Sequence, residues 1–175
     1  MVVILLLMIA AGMVGLMFYF AIMTDSLFGG CDLATNASTI TKVAEIIKAK
    51  KGNFYDLGSA RGDFLLKLIK KAPSINYYGL DNSWFRIWIS RLKALILGRN
   101  ITFLQKNIFD ANLSSADFVY IYLPRELMPG LQTRLQKELK PGAVVLTNRV
   151  SFPDWKPKES HNLSNSEKLF MYVKE

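Results

Sequence analysis

Cysteine and histidine occur once each in this chain of 175 residues, as Cys31 and His161. A lone cysteine forms no intramolecular disulfide, so the fold must rest on packing rather than on covalent staples. One Cys and one His are too few for a Zn site, and no metal centre is expected. Acidic residues are in deficit: 14 Asp and Glu stand against 22 Lys and Arg, a net charge of +8. No nucleic-acid recognition motif accompanies that charge, so nucleic acid is not an expected partner, and a basic membrane-facing domain is the better reading. Internal repeats and low-complexity tracts are absent too. The length allows one domain with little to spare.

Charge is wholly missing from Val2 to Met23, where Gly12 and Gly15 are the only residues that are not apolar. Twenty-two residues of helix cover about 33 Å, close to the roughly 30 Å hydrocarbon core of a bilayer. A cleaved signal peptide would open with a basic region and close on an A-x-A-like site, and this segment does neither. Residues 1–23 are therefore expected to be an uncleaved, single-pass transmembrane anchor that contacts membrane lipid. Thr24 to Thr41 holds Asp25 and Asp32 but no Lys or Arg, so charge gives no orientation. Residues 24–37, with Gly29 and Gly30, read as a juxtamembrane linker.

Residues 38–175 carry the pattern of a domain. A helical face of Ile40, Val43, Ala44, Ile46 and Ile47 comes first. Short apolar runs then alternate with amphipathic ones. Strands are predicted at Asn53 to Leu57, Asn76 to Asp81, Ile101 to Gln105, Phe118 to Leu123, Ala143 to Asn148 and Lys168 to Val173. Helices are predicted at Gly62 to Lys71, Ser83 to Leu97 and Met128 to Leu139. Such alternation predicts an α/β fold, a Rossmann-like, mostly parallel sheet with helices on both faces. The helix from Ser83 is unusually apolar, with Arg86, Ser90 and Lys93 as a narrow polar stripe; burial on the sheet is the favoured reading, and a seat at a bilayer interface the other.

Ligands of such sheets bind beyond the carboxyl ends of the strands. Asp56-Leu57-Gly58-Ser59-Ala60-Arg61-Gly62 follows the first strand and opens into a helix. It fails the dinucleotide fingerprint G-x-G-x-x-G, because Ala60 and Asp63 stand at the second and third glycine positions. Asp81, at the end of the second strand, can accept two hydrogen bonds from a ribose diol; a helix cap is the plainer role for it. Beyond the third strand, Asn107 can bond an adenine edge and Ile108 or Phe109 can pack on its face, or Asn107 can simply serve a turn.

Asp56-x-Gly58-x-x-x-Gly62, then Asp81, then Asn107, resembles the site of class I, seven-β-strand S-adenosylmethionine (SAM)-dependent methyltransferases. Asn107-Ile108-Phe109-Asp110, Tyr120-Ile121-Tyr122-Leu123-Pro124, Glu138-Leu139-Lys140-Pro141-Gly142 and Phe152-Pro153-Asp154-Trp155 extend the likeness over residues 33–175. It is nearest to small membrane-anchored protein-lysine methyltransferases of the FAM173 type. There the first motif commonly reads D-L-G-S-G-D-G, and here Ala60 and Arg61 replace its central pair. The resemblance implies SAM as cofactor, held by Asp56, Gly58, Ser59 and Gly62 of the first motif, by Asp81 and Asn82, by Asn107 and Ile108, and by Thr35 ahead of the first helix.

Methyl transfer asks the enzyme mainly to hold nucleophile and methyl in line, with no metal and no covalent nucleophile. Tyr120 and Tyr122 stand on the usual substrate side of the resembled fold and share a face by the period of two. Tyr122 is the expected catalytic residue, orienting an acceptor amine through its hydroxyl, and Tyr120 the sheet-packing one. The expected function is methylation of protein lysine on a membrane-associated partner. Methylation of a lipid or hydrophobic small molecule, and non-catalytic SAM binding, are the alternatives. SAM is made in the cytosol, so the domain is expected on the cytosolic side of its membrane. Sequons begin at Asn36, Asn112 and Asn162.

Overall fold

A computed structural model describes residues 1–28, 34–48, 50–163 and 167–175. Gly29, Gly30, Cys31 and Asp32 of the expected linker, and Ser164 of the third sequon, lie outside the described residues. The chain divides into two compact units, Met1–Asp32 and Leu33–Glu175.

The first unit is helix α1 (Val2–Phe28), whose 27 residues span about 40 Å. Val2–Phe20 within it has the length and composition to cross a bilayer, and none of that stretch is buried. The helix runs past Met23 to Phe28, because no Gly or Pro stands between Met23 and Gly29. The stretch expected as linker thus begins as helix.

The second unit is a sheet of seven strands, β1 (Gly52–Leu57), β2 (Ile75–Asp81), β3 (Ile101–Gln105), β4 (Phe118–Ile121), β5 (Val144–Asn148), β6 (Glu159–Asn162) and β7 (Lys168–Val173), in the order β3-β2-β1-β4-β5-β7-β6. Neighbours from β3 through β5 are parallel, and β7 is antiparallel to both β5 and β6. The mostly parallel sheet expected from the alternation is present. β6 is the strand that the sequence does not announce: Glu159-Ser160-His161-Asn162 has no apolar alternation and is shaped by pairing with β7 along one edge.

Side chains alternate between two cores. Phe54, Tyr77, Phe118, Tyr120 and Leu146 face helices α2 (Ala37–Ile47), α3 (Asp63–Leu68) and α4 (Trp84–Ile96), which contribute Ile40, Val43, Phe64, Leu65, Leu68, Ile87 and Ala94. Tyr55, Leu57, Val119, Ile121 and Val145 face helix α5 (Met128–Glu138) through Met128, Leu131 and Leu135. A one-residue slip in any strand would exchange these sets, so burial on both faces fixes the register. On α4 the favoured core reading holds only for Phe85, Ile87 and Ala94; Trp84, Trp88, Leu92, Leu95 and Ile96 are exposed.

Candidate active site

The strand order reverses between β1 and β4, and the crevice beyond their carboxyl ends receives the loop Gly58 to Gly62. Gly58 (φ 83°) and Gly62 (φ 75°) adopt the left-handed conformation. A Cβ on Gly58 would lie 2.7 Å from Leu123 Cδ2, and one on Gly62 2.7 Å from Phe103 Cζ, so both sequence and space call for glycine. Ala60 is left-handed too (φ 45°), at a cost of about 1–2 kcal/mol for a residue with a Cβ.

Ala60 is held in that conformation by both of its backbone groups. Its N–H donates to Asp81 Oδ2 at 3.0 Å, and its carbonyl lies 3.1 Å from Ser90 Oγ, whose one hydroxyl hydrogen it shares with the Arg86 carbonyl at 2.8 Å. The N–H groups of Gly58 and Ser59 both donate to the Leu80 carbonyl at 2.8 Å, and Lys93 Nζ donates to the Arg61 carbonyl at 3.3 Å. The polar stripe of α4 is therefore turned inward, with Ser90 and Lys93 on the glycine loop and Arg86 buried.

Two carboxyl groups flank this loop. Asp81 is buried at the end of β2, where Oδ1 accepts from the Ser83 N–H at 2.9 Å while Oδ2 takes the Ala60 N–H. It thus ties the loop to the start of α4, but it is not the helix cap: that is Ser83, whose Oγ accepts the Arg86 N–H at 3.3 Å. Asp56 is the penultimate residue of β1, beside Gly79 of β2 and Tyr120 of β4, and is only 4% exposed. Burial first, and then the charge of Asp81, push its carboxyl up to about 8. A third polar group, the buried Ser59 hydroxyl, has no hydrogen-bond partner among the described residues.

This donor set fits the SAM implied by the resemblance. Crowded carboxyl groups in low dielectric favour a ligand with positive charge, and SAM carries both a sulfonium and an ammonium. Gly58 and Gly62 let the loop turn tightly against Leu123 and Phe103, and the buried Ser59 hydroxyl has no partner among the described residues.

The remaining cofactor-side candidates are dispersed around the loop. Asn82 is exposed, and its carbonyl accepts from Gln105 Nε2 at 3.4 Å. Asn107 is exposed and its Oδ1 accepts the Phe109 N–H at 3.0 Å, the turn role that the sequence also allowed. Ile108 is half-buried against the α5 core, and Arg134 of α5 holds this segment through the carbonyls of Ile108 and Ala111. Thr35 meets the sheet directly, with Oγ1 3.1 Å from the Tyr120 hydroxyl.

The residues expected to face an acceptor lie at the ends of β4 and β5. Tyr120 is 1% exposed and stacks on Phe64 with ring centroids 4.2 Å apart, which makes it the packing tyrosine. Tyr122, past the end of β4, is half-buried on the same face, with the Arg149 guanidinium 5.5 Å from its ring centroid. Burial raises the Tyr122 hydroxyl from its ordinary pKa, Arg149 opposes that and Glu167 adds to it. Arg149 (φ 65°) reaches Glu167 Oε1 at 3.4 Å, and the Thr39 hydroxyl of α2 donates to Glu167 Oε2.

Sequence reasoning missed Glu167 and Asn148. Asn148 ends β5 and is 1% exposed; burial raises the Tyr120 hydroxyl and nearby Asn148 only slightly opposes that, and neither amide atom of Asn148 has a hydrogen-bond partner among the described residues. The strand-end rule applied to β5 would have singled it out. Glu167 carries no such signal, since its place depends on the fold of β7 back onto β5.

Comparison with known proteins places the chain among methyltransferases. A lysine N-methyltransferase of Homo sapiens that is named for a component of ATP synthase is 28% identical over 120 residues, covering 67% of this chain and 51% of the relative. The chain spans about half the length of such vertebrate relatives. A protein-lysine N-methyltransferase of Saccharolobus islandicus (strain REY15A) is 24% identical over 148 residues, covering 79% of this chain and 90% of that protein. The fold is shared with an RNA methyltransferase from Salinibacter ruber solved with S-adenosyl-L-homocysteine, at TM-score 0.73 and 20% identity over 81% of this chain and 93% of the other. Residues 56–159, more than half of the chain and including the glycine loop, Asp81, Tyr122 and Asn148, match the model of the ANTKMT methyltransferase domain, and the chain belongs to that family.

Proposed function

We propose that this chain is a membrane-tethered, SAM-dependent methyltransferase that modifies a lysine amine on a membrane-associated protein. The observation that carries the reading is the pair of buried carboxyl groups, Asp56 and Asp81, flanking a glycine loop inside the segment that matches the family. Relatives named for lysine methylation, among them the enzymes named for ATP synthase and for adenine nucleotide translocase, support the acceptor class. The apolar helix α1 supports the tether, which raises the local concentration of neighbouring membrane proteins.

In this reading Gly58, Ser59 and Gly62 line the cofactor's amino-acid end, Asp56 balances its positive charge, and Asp81 with Asn82 holds the ribose. Asn107 and Ile108 border the adenine, and Thr35 closes the site from the segment before α2. Bound SAM supplies an electrophilic methyl carbon whose bond to sulfur breaks as the bond to nitrogen forms. The chain's own task is to present a neutral amine in line. A lysine with pKa near 10.4 costs about 4–5 kcal/mol to deprotonate at pH 7, and an apolar pocket reduces that cost by disfavouring the ammonium. Tyr122 orients the amine through its hydroxyl, and the buried Asn148 amide offers it a second polar contact.

Titration of the full chain in detergent with SAM and S-adenosylhomocysteine, followed by calorimetry, tests the cofactor. Saturable binding that weakens in Asp81→Asn supports the assignment; absence of heat and of protection against unfolding contradicts it. Protease protection of the domain in sealed right-side-out vesicles tests its cytosolic placement. Digestion from outside, or glycans on the sequons, contradicts that placement.

A further inference from the structure

Beside its core contacts, α4 carries a second apolar face that is turned outward. At 3.6 residues per turn, Trp84, Trp88, Leu92, Leu95 and Ile96 fall within an arc of about 120°, which also holds the buried Phe85 of the first turn, and Arg86, Ile87, Ser90 and Ala94 within about 100° on the other side. The first set is exposed, with Leu95 at 78%, Ile96 at 73%, Trp84 at 52% and Trp88 at 44%, and the second is buried. The polar stripe is consumed in holding the glycine loop, through Ser90 to the Ala60 carbonyl and Lys93 to the Arg61 carbonyl and Asp63. The apolar arc is left facing solvent, continued by exposed Leu97. Contiguous apolar faces of this kind mark interaction sites.

Charge identifies the occupant. From Asn82 to Phe109 the chain has no Asp or Glu and carries Arg86, Arg91, Lys93, Arg99 and Lys106. Arg91, Arg99 and Lys106 are exposed. An aromatic and aliphatic stripe rimmed by cations is the make-up of a helix lying in the headgroup region of an anionic bilayer, with Trp at the polar boundary. We propose that the outer face of α4 rests on anionic lipid, as a second membrane contact distinct from α1. Cations near such a surface strengthen the attraction to anionic lipid. Because the buried stripe of α4 carries the glycine loop, lipid contact at α4 would bear on the backbone that forms the candidate cofactor site.

Tryptophan reports this contact without interference from α1, which contains none; the three tryptophans are Trp84, Trp88 and Trp155. The full chain would be reconstituted into phosphatidylcholine–phosphatidylserine vesicles with plain or brominated acyl chains, and co-flotation would verify insertion. Brominated lipid is expected to reduce emission about twofold or more. Trp155→Phe should keep that quenching, and Trp84→Phe/Trp88→Phe should lose it while still floating. Equal emission in the two lipids from a floating protein overturns the proposal and leaves the α1 anchor standing. Cross-links between copies through α4, with unquenched emission, would assign the face to a second copy and overturn it as well.

Discussion

The carboxyl of Asp56 is buried beside the charge of Asp81, and the two effects together raise it to about 8. Between 3.8, the ordinary value, and about 8 the folded protein therefore holds a proton that the unfolded chain has lost. The stabilisation from this group is fully present below the ordinary value and is lost as pH rises through the folded one. Asp56→Asn removes that dependence, so its stability relative to the unmodified protein should improve steadily from pH 5 to pH 8 in denaturant titrations.

Ligand binding gives the same proton a second readout. A cation beside Asp56 favours its ionised form, so SAM binding near pH 7 should release a proton and tighten as pH approaches 8. Calorimetry in two buffers of different ionisation enthalpy measures the release. In Asp56→Asn the release should vanish and affinity should no longer rise with pH.

Ala60→Gly should stabilise the protein by about 1 kcal/mol, since the left-handed backbone at φ 45° strains alanine and suits glycine. Gly62→Ala should do the reverse by about 2 kcal/mol or more, because φ 75° and the Phe103 ring at 2.7 Å both oppose a Cβ. Thermal melts of the two variants check the pair of signs.

Tyr122→Phe should leave SAM affinity nearly unchanged and lower the transfer rate, because the ring still packs while the hydroxyl is gone. Asn148→Ala removes a buried amide with no hydrogen bond to lose, so any loss of stability should come from the cavity alone. Its transfer rate should fall about 5- to 10-fold, the worth of one hydrogen bond to the acceptor. Full activity in both variants would remove them from the acceptor side.

The sequence made the sheet legible because parallel strands buried on two faces leave long apolar runs, and the glycine loop because its backbone must turn left-handed beside a strand end. Its boundaries were less so. The predicted helix to Lys71 stops at Leu68, and the predicted strand to Leu123 stops at Ile121, where pairing with β1 and β5 ends. On α4, composition pointed to burial, but only Phe85, Ile87 and Ala94 share the inner face with the polar groups that meet the glycine loop. The Glu167–Arg149–Thr39 group joins β7, the end of β5 and α2, a convergence that only tertiary folding creates.

The most direct measurement is transfer itself: the full chain in vesicles, methyl-labelled SAM, membranes from cells lacking the protein as acceptor, and mass spectrometry of the labelled product. The predicted result is label on the side-chain nitrogen of a lysine in a membrane-associated protein, absent with Asp81→Asn and reduced with Tyr122→Phe. Label recovered in lipid, or no transfer from a protein that binds SAM, would contradict it.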